Sequence, residues 1–572
     1  MKKILFIVPM HITYDSFVNP SPNSRKFKKN NRWVNSLSTD LPLGVLSLSA
    51  YIKKTCNVDI KLIDFNAEFN YLSEFPFESY DIAVEKFYSA LDFQPDIVGV
   101  SSLFSPSFEN FLTCGRIARD VWPEALIIGG GNIPTNSYEE IYLERKANFF
   151  DALCYGEGEK AMLELVMSES PFMYLNTSPT WITLKKVSRD ELFLPKHDFI
   201  ENLDDIPFLD YQLCDLKKHA INQNLSSFHS VENPKGFHIM TSRGCPFLCT
   251  FCASHKTHGR SMRYYSLDRV KEDLTRLVTE FGADTVVFQD DHLMADKDRV
   301  YSILKEVGRL GLNSLYQNGL TLYALDRPML QAFYAAGVRH LVLPVESGSE
   351  KVLKEQMRKP LKMRISKQVA HDCRDLGIYT NINIIVGMPG ETLADFEESR
   401  RNLRNVHGNW FNIACASPLV GSEMHEIAVK KNYISKGTIG SDYHVATIAT
   451  ESFTPQQVQE FQYRLNLELN FFYNNDLRYG EYELALLGFE NVIRLRADHA
   501  FAHFYAGLAK FKLSIQDYRR HLHLFLQESC SDFWSKHIAD FNLPVDFQAV
   551  MRFYDEFQPE LGIARSVPSL AV

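Results

Sequence analysis

Two stretches of this chain alternate short apolar runs with segments of helical spacing, a pattern that commits a polypeptide to parallel sheets covered by helices. In the first 170 residues the strand candidates are Lys3–Val8, Asp59–Asp64, Asp96–Ser101, Ala125–Gly129 and Ala152–Gly156. Between them, Leu43–Lys54, Tyr80–Leu91, Phe108–Val121, Tyr138–Lys146 and Lys160–Met167 carry helical periodicity. The expectation is a doubly wound α/β sheet that takes its ligand at the carboxyl ends of the strands. Small residues stand at those ends: Ser101-Ser102-Leu103, Gly129-Gly130-Gly131 and Gly156-Glu157-Gly158-Glu159.

From residue 171 to 235 the pattern breaks into prolines and polar turns, which reads as a linker or belt. Alternation resumes over residues 236–440, with strand candidates Phe237–Thr241, Thr285–Asp290, Ser314–Leu320, His340–Glu346, Asn381–Val386 and Asn412–Ala416. Six β/α units fall short of the eight that close a full barrel, so a partial (β/α)6 barrel is expected. Residues 441–572 read as an α-helical region. There Gly480, Tyr482, Ala485 and Phe489, then Ala502, Tyr505 and Gly507, resemble a tetratricopeptide helix pair, with a plain helical cap as the alternative.

At 572 residues, and with ~150 residues per domain, about three or four domains are expected. The formal net charge of −9 excludes a global basic surface for nucleic acid. Arg25, Lys26, Lys28 and Lys29 read as a solvated loop. Pro9 and His11 interrupt the apolar run after Met1-Lys2-Lys3, so the start reads as a buried strand and not as a secretory signal. No stretch is apolar for long enough to span a bilayer. Ten cysteines without an export signal point to the reducing cytoplasm, where clustered thiols bind metal more often than they pair. Cys56, Cys114 and Cys154 are scattered and read as small buried hydrophobes.

The segment Arg243-Gly244-Cys245-Pro246-Phe247-Leu248-Cys249-Thr250-Phe251-Cys252 directly follows a strand candidate. Three thiolates in one loop can hold three corners of a cubane cluster and leave the fourth iron open. A structural zinc site completed by His255 or His258 is the competing reading.

The spacing Cys-x3-Cys-x2-Cys, with aromatic Phe251 before the third cysteine, resembles the radical S-adenosylmethionine superfamily. That resemblance implies a [4Fe–4S] cluster on Cys245, Cys249 and Cys252, with S-adenosylmethionine as cosubstrate. It places the methionine-amino contact at Asp290 and Asp291, within Phe288-Gln289-Asp290-Asp291. Glu346 and Ser347, within Glu346-Ser347-Gly348-Ser349, look like the ribose and methionine contact. Gly387 and Pro389, within Gly387-Met388-Pro389-Gly390-Glu391-Thr392, match the turn that meets adenine.

The N-terminal region resembles the flavodoxin-like cobalamin-binding domain that precedes the radical domain in one branch of the superfamily. Ser101, Ser102 and Leu103 match its Ser-x-Leu turn, and Gly129, Gly130 and Gly131 match its glycine turn. Leu41-Pro42-Leu43-Gly44, Gly156 with Glu157, and Asn202-Leu203-Asp204-Asp205-Ile206-Pro207 match further landmarks. The histidine motif Asp-x-His-x-x-Gly is absent and His11 lacks its context, which implies cobalamin without a protein histidine on cobalt. The alternative is a domain that keeps the fold and has lost the cofactor.

The resemblance implies reductive cleavage of S-adenosylmethionine, hydrogen abstraction from an unactivated carbon, and methyl transfer through cobalamin to a small-molecule or peptide substrate. Cyclisation or rearrangement with the same cofactors is a second outcome. A cobalamin-free methylthiotransferase is a third, opposed by the lack of a second three-cysteine set. A cobalamin- or redox-sensing module that engages a partner is a non-enzymatic alternative. An electron donor such as flavodoxin or ferredoxin is implied, and the C-terminal helices are placed to roof the site or dock a protein partner. His255, His258 and His292 are candidate substrate contacts; Tyr264 and Tyr265 fit core or site equally.

Overall fold

The computed structural model describes residues 1–20, 26–30, 32–189, 193–219, 235–435 and 445–561. Arg25, the end of the belt and the boundary at residue 441 lie outside the described residues.

Strand β1 (Lys2–Val8) is followed by a hairpin of β2 (Lys26–Lys29) and β3 (Arg32–Asn35). Then come β4 (Val58–Asp64), β5 (Ile97–Ser101), β6 (Leu126–Gly130), β7 (Ala152–Cys154) and β8 (Trp181–Ile182). Six of these form one sheet in the order β4-β1-β5-β6-β7-β8. Its pairs are parallel except β7–β8. Alternate residues of β1 feed opposite faces, Leu5 and Ile7 into one core and Ile4 and Phe6 into the other. Burial on both faces is why these strands read as continuous apolar runs.

Three features depart from the sequence expectation. Lys26, Lys28 and Lys29, read as a solvated loop, lie in β2, and Lys29 is buried with its ammonium on the Asn70 carbonyl at 2.9 Å. The helix placed at Tyr138–Lys146 begins at Asn132, straight after the glycine turn, and passes at Glu140–Glu144 into one wider turn. The first sheet also continues beyond residue 170, because β8 joins its edge. A two-residue strand has no periodicity to read. Its surroundings are closed by the buried ammonium of Lys186, which donates to the carbonyls of Leu175 at 2.8 Å and Trp181 at 2.6 Å.

The second unit carries β9 (Gly236–Ile239), β10 (Ser242–Arg243), β11 (Arg263–Tyr264), β12 (Thr285–Phe288), β13 (Asn313–Tyr316), β14 (His340–Glu346), β15 (Tyr379–Val386) and β16 (Trp410–Cys415). Two three-stranded parallel sheets, β13-β12-β9 and β14-β15-β16, account for the six expected barrel strands. They share one core. Helices Leu267–Phe281, Lys297–Leu310 and Met363–Leu376 each stop at a left-handed glycine, Gly282, Gly311 and Gly377.

An incomplete barrel leaves an edge. The helix Pro455–Leu467 and the wide turn Glu468–Phe472 lie along β16 and answer its free backbone groups. Asn470 accepts from the Phe411 N–H at 2.8 Å and donates to the Phe411 carbonyl at 2.9 Å, while Gln462 donates to the Ile413 carbonyl at 2.6 Å. Behind them, helices Tyr482–Leu495 and Ala500–Lys512 pack on each other, with the second buried all round and Gly507 pressed against Tyr554. Among the described residues no helix is long and apolar enough to cross a membrane.

Asn470→Ala would strand two buried backbone groups of β16, at about 1–3 kcal/mol each. We expect a loss of about 2–6 kcal/mol, measured as a lower urea midpoint.

Candidate active site

The carboxyl ends of the N-terminal sheet and of the barrel strands face each other across one cavity of about 1350 Å³. That exceeds the ~300–1,000 Å³ of an ordinary small-molecule site. Ser101, Gly130 and Gly156 line one side, and Met240, Asn318 and Glu346 the other.

The cysteine loop enters between them. Gly244 opens it at φ +94°, and a Cβ there would lie 2.3 Å from the Ser261 carbonyl, so only glycine fits. Backbone bonds fix the rest: the Cys245 N–H donates to the Gly259 carbonyl at 3.3 Å, and the Thr250 N–H to the Met357 carbonyl at 3.1 Å. Cys245, Cys249, Phe251 and Cys252 all line the cavity. Burial pushes the Cys245 thiol up to about 11 and raises that of Cys249, against which Lys359 acts. Such thiols lose their protons to a metal rather than to bulk water.

Among the described residues no three His, Cys, Asp or Glu side chains converge tightly enough to hold one ion. A zinc site needs its ligands at ~2.0–2.3 Å from one metal, whereas cubane thiolates each serve a different iron. His258 is also engaged elsewhere, with Nδ1 2.9 Å from Glu157. Three cysteines on one loop at the cavity wall suit a cluster with one open iron.

The other sequence-derived barrel residues divide. Asp291 and Glu346 line the cavity, whereas Asp290, Ser347, Gly387 and Pro389 do not. Asp290 is fully buried and accepts from the Thr241 N–H at 3.1 Å, Thr241 Oγ1 at 2.8 Å and Ser242 Oγ at 2.6 Å. It anchors the strand that leads into the cysteine loop. Ser347 faces Ser399 at 3.2 Å, on the helix Leu393–Leu403. Gly387 packs on Val458, and Pro389 is buried in the same turn. Glu346 has φ +68°, beside a register shift after Pro344, and pairs with Lys359 at 3.1 Å. Left-handed backbone at a non-glycine residue is locally strained, and here it holds Glu346 at the cavity wall.

Asp291 Oδ2, His292 Nδ1 and Gln317 Nε2 are buried without a protein partner, and all three residues line the cavity. Buried polar atoms need a partner, and these three residues stand where water or a bound ligand can supply it. His292 also packs on Phe247 of the cysteine loop, with ring centroids 4.9 Å apart. Gln317 and Asn318 carried no motif, so sequence reasoning missed them. His255, His258 and Tyr265 line the cavity too, Tyr265 while also buried in the core, whereas Tyr264 lies under the Arg299 guanidinium.

On the N-terminal side, Ser101, Ser102, Leu103, Gly129, Gly130, Gly131, Gly156 and Glu157 all border the cavity. Ser102 is locked to the glycine turn: its N–H donates to the Gly130 carbonyl at 3.0 Å, and its carbonyl accepts from the Ile133 N–H at 3.2 Å. Gly131, at φ +99°, brings its Cα so close that a Cβ would lie 2.5 Å from the Ser102 carbonyl. A Cβ on Gly130 would meet open space up to Cys154. Leu103 and Phe104 are 61% and 42% exposed at this rim, an apolar surface matched to a large flat ligand. These turns fit cobalamin. His11 does not offer itself to cobalt: Nδ1 lies 2.6 Å from Asn66 Oδ1, and Nε2 accepts from the Ser38 N–H at 3.0 Å.

The Glu157 carboxylate is taken up within the protein, by Arg243, Arg263 and His258. These cations hold it well below the usual carboxylate range, against burial.

Family models agree with both halves of this arrangement: the radical SAM superfamily over residues 239–403 and the B12 binding domain over residues 35–166. The uncharacterized methyltransferase PH0819 of Pyrococcus horikoshii is 26% identical over 399 residues, covering 69% of this chain and 80% of that protein. Cytidylyl-2-hydroxyethylphosphonate methyltransferase of Streptomyces wedmorensis is 27% identical over 430 residues, covering 69% and 78%. Among solved structures, the radical S-adenosylmethionine methyltransferase TsrM of Kitasatospora setae, with cobalamin and [4Fe–4S] cluster bound, aligns with a TM-score of 0.53. That alignment has 13% identity over 92% of this chain and 99% of that chain. The fold and the site define a radical S-adenosylmethionine protein. More narrowly, the chain carries a B12-binding domain ahead of its radical domain.

The turn after β15 gives a pH prediction. Glu391 accepts from the Gly387 and Met388 N–H groups at 2.8 and 2.9 Å, and burial still raises it to about 8. Its folded value lies above the ~4.3 of an exposed glutamate, so its contribution is complete below that value and is lost as pH rises through about 8. Glu391→Gln keeps an acceptor and cannot ionise. The variant should gain stability over the parent between about pH 4 and pH 8 and then hold a constant difference, read from thermal midpoints across pH.

Proposed function

We propose that this chain is a cobalamin-dependent radical S-adenosylmethionine methyltransferase that methylates an unactivated carbon of a small-molecule or peptide substrate. The observation that carries this reading is the single cavity. Cys245, Cys249 and Cys252 open into the same volume as the Ser101–Leu103 and Gly129–Gly131 turns. When bound, the cluster with S-adenosylmethionine supplies one-electron cleavage and hydrogen abstraction, and cobalamin a methyl carrier, chemistry outside the reach of side-chain acids and bases.

The chain's own residues hold, aim and shield. The three thiols would hold three irons and leave the fourth open to the amino and carboxylate groups of S-adenosylmethionine. We assign Asp291 to that amino group, because the residue lines the cavity and its Oδ2 has no protein partner. Glu346, steered by Lys359, takes a polar contact beside it. Ser347, Gly387 and Pro389 act indirectly, by setting the turns behind the cavity wall. On the opposite side the small residues at 101–103 and 129–131 would admit the cobalamin tail. Walls from both domains keep water out and hold the reacting groups in line. Electrons come from a donor such as flavodoxin or ferredoxin, and the setting is the reducing cytoplasm.

Anaerobically reconstituted protein should show iron–sulfur absorbance, form deoxyadenosine and copurify with cobalamin. Cys249→Ala should lose the first two. Label from the S-methyl group of S-adenosylmethionine should appear in the product; its retention elsewhere would point to cyclisation or rearrangement. Deoxyadenosine formation by Cys249→Ala would sink the cluster assignment.

A further inference from the structure

A buried ion network joins the N-terminal sheet to the base of the cysteine loop. Its sequence origin is simple. Glu157 and Glu159 stand in the turn after β7, while Arg243 and Arg263 face each other on the paired strands β10 and β11. Arg243 lies two residues before Cys245. The chain therefore places two cations at the root of the loop and two carboxylates opposite them.

The contacts are close and leave little slack. Glu157 Oε2 meets Arg263 Nη1 at 2.9 Å and Arg243 Nη1 at 3.1 Å; Oε1 meets Arg263 Nη2 at 2.6 Å and His258 Nδ1 at 2.9 Å. Glu159 Oε1 takes Arg243 Nη2 at 2.7 Å and Ser47 Oγ at 2.5 Å. Arg263 also donates to the carbonyls of Ile200 at 2.8 Å and His258 at 3.0 Å, and its guanidinium lies over Phe199 at 4.3 Å. The side chains of Glu157, Glu159, Arg243 and Arg263 are each less than one-tenth exposed.

Networks of this kind add little net stability, because desolvation offsets attraction, but they specify which surfaces meet and in what register. A hydrogen-bonded fork on Arg263, with Arg243 hydrogen-bonded to Glu159 and ion-paired to Glu157, fixes the root of the loop in two directions. Water screens such charges poorly, so they are also felt by whatever the loop binds.

We infer that Glu157 is a positioning residue. Through Arg243 and Arg263 it holds the cysteine loop in register with the B12-binding domain, and its charge sets how readily the bound cluster is reduced. The inference rests on the reading that Cys245, Cys249 and Cys252 carry a cluster. Two carboxylates and two guanidinium groups balance in the network. Removing Glu157 leaves an excess positive charge beside the loop, which favours the more negative, reduced state.

The test uses the full chain with its cluster reconstituted anaerobically, titrated with reductant and followed by electron paramagnetic resonance. Glu157→Gln should move the midpoint potential to more positive values and alter the line shape. Glu157→Asp should return both toward the parent, and so should the charge-balanced double variant Glu157→Gln/Arg263→Gln for the potential alone. Arg263→Lys, which keeps the charge and gives up the fork, should change line shape more than potential, and it carries the test should Glu157→Gln fail to fold. A Glu157→Gln protein with a full cluster and an unmoved potential and line shape overturns the inference while leaving the proposed function intact. A parent chain that binds no cluster overturns both.

Discussion

Parallel strands deliver their carboxyl-terminal turns to one edge, and the site exists because two such edges are held face to face. Neither edge is complete as a binding site alone. The N-terminal sheet offers small residues and an apolar rim at Leu103 and Phe104. The barrel offers thiols and unpartnered polar atoms. Everything else in the chain bears on keeping these two rims opposed.

The contacts that do so are polar and mostly buried. Besides the Glu157 network, His238 of β9 reaches across to the N-terminal half, with Nε2 3.1 Å from Asp40 and Nδ1 accepting from the Leu41 N–H at 3.4 Å. Asp210 of the belt binds Ser49 and Lys53, both on the helix Leu43–Lys53, at 2.6 Å each. An apolar interface of the same area would hold as well, but it would tolerate sliding by part of a side chain. Hydrogen-bonded charges do not, since a shift of an ångström leaves a buried charge without its partner. For chemistry that needs two cofactors in line, that intolerance is the useful property.

Most of the fold was legible because strands buried on both faces spell themselves as apolar runs, as in Ile4-Leu5-Phe6-Ile7, and because glycines mark helix ends. The cysteine loop was legible because its spacing is a chemical requirement. What stayed hidden depended on direction. Asp290 and Asp291 are neighbours with the same side chain, and only the alternation at the end of β12 turns one toward Thr241 and Ser242 and the other toward the cavity. Glu157 read as a cofactor contact because its turn, Gly156-Glu157-Gly158-Glu159, matches a landmark of the cobalamin-binding domain. The arginines that occupy its carboxylate lie 86 and 106 residues away in sequence. Long-range polar pairing leaves no local period, so neither the network nor β8 could be read from the chain alone.

The same reasoning explains the C-terminal helices in part. A barrel of six strands ends in an edge whose N–H and carbonyl groups invite further pairing, and closing it with more strands would narrow the cavity mouth. Side-chain amides solve this without another strand. Asn470 presents one donor and one acceptor to Phe411, as a neighbouring strand would, and Gln462 takes the next carbonyl on that edge. The wide turn at Glu468–Phe472 adds a residue to the helical repeat and so brings Asn470 into line with β16. Ion pairs of Glu468 with Arg400 and Arg404, and of Asp476 with Arg374, then hold the helices to the barrel wall from outside. The barrel is thus sealed at the β16 edge, where unpaired backbone groups would be a liability, without a seventh strand.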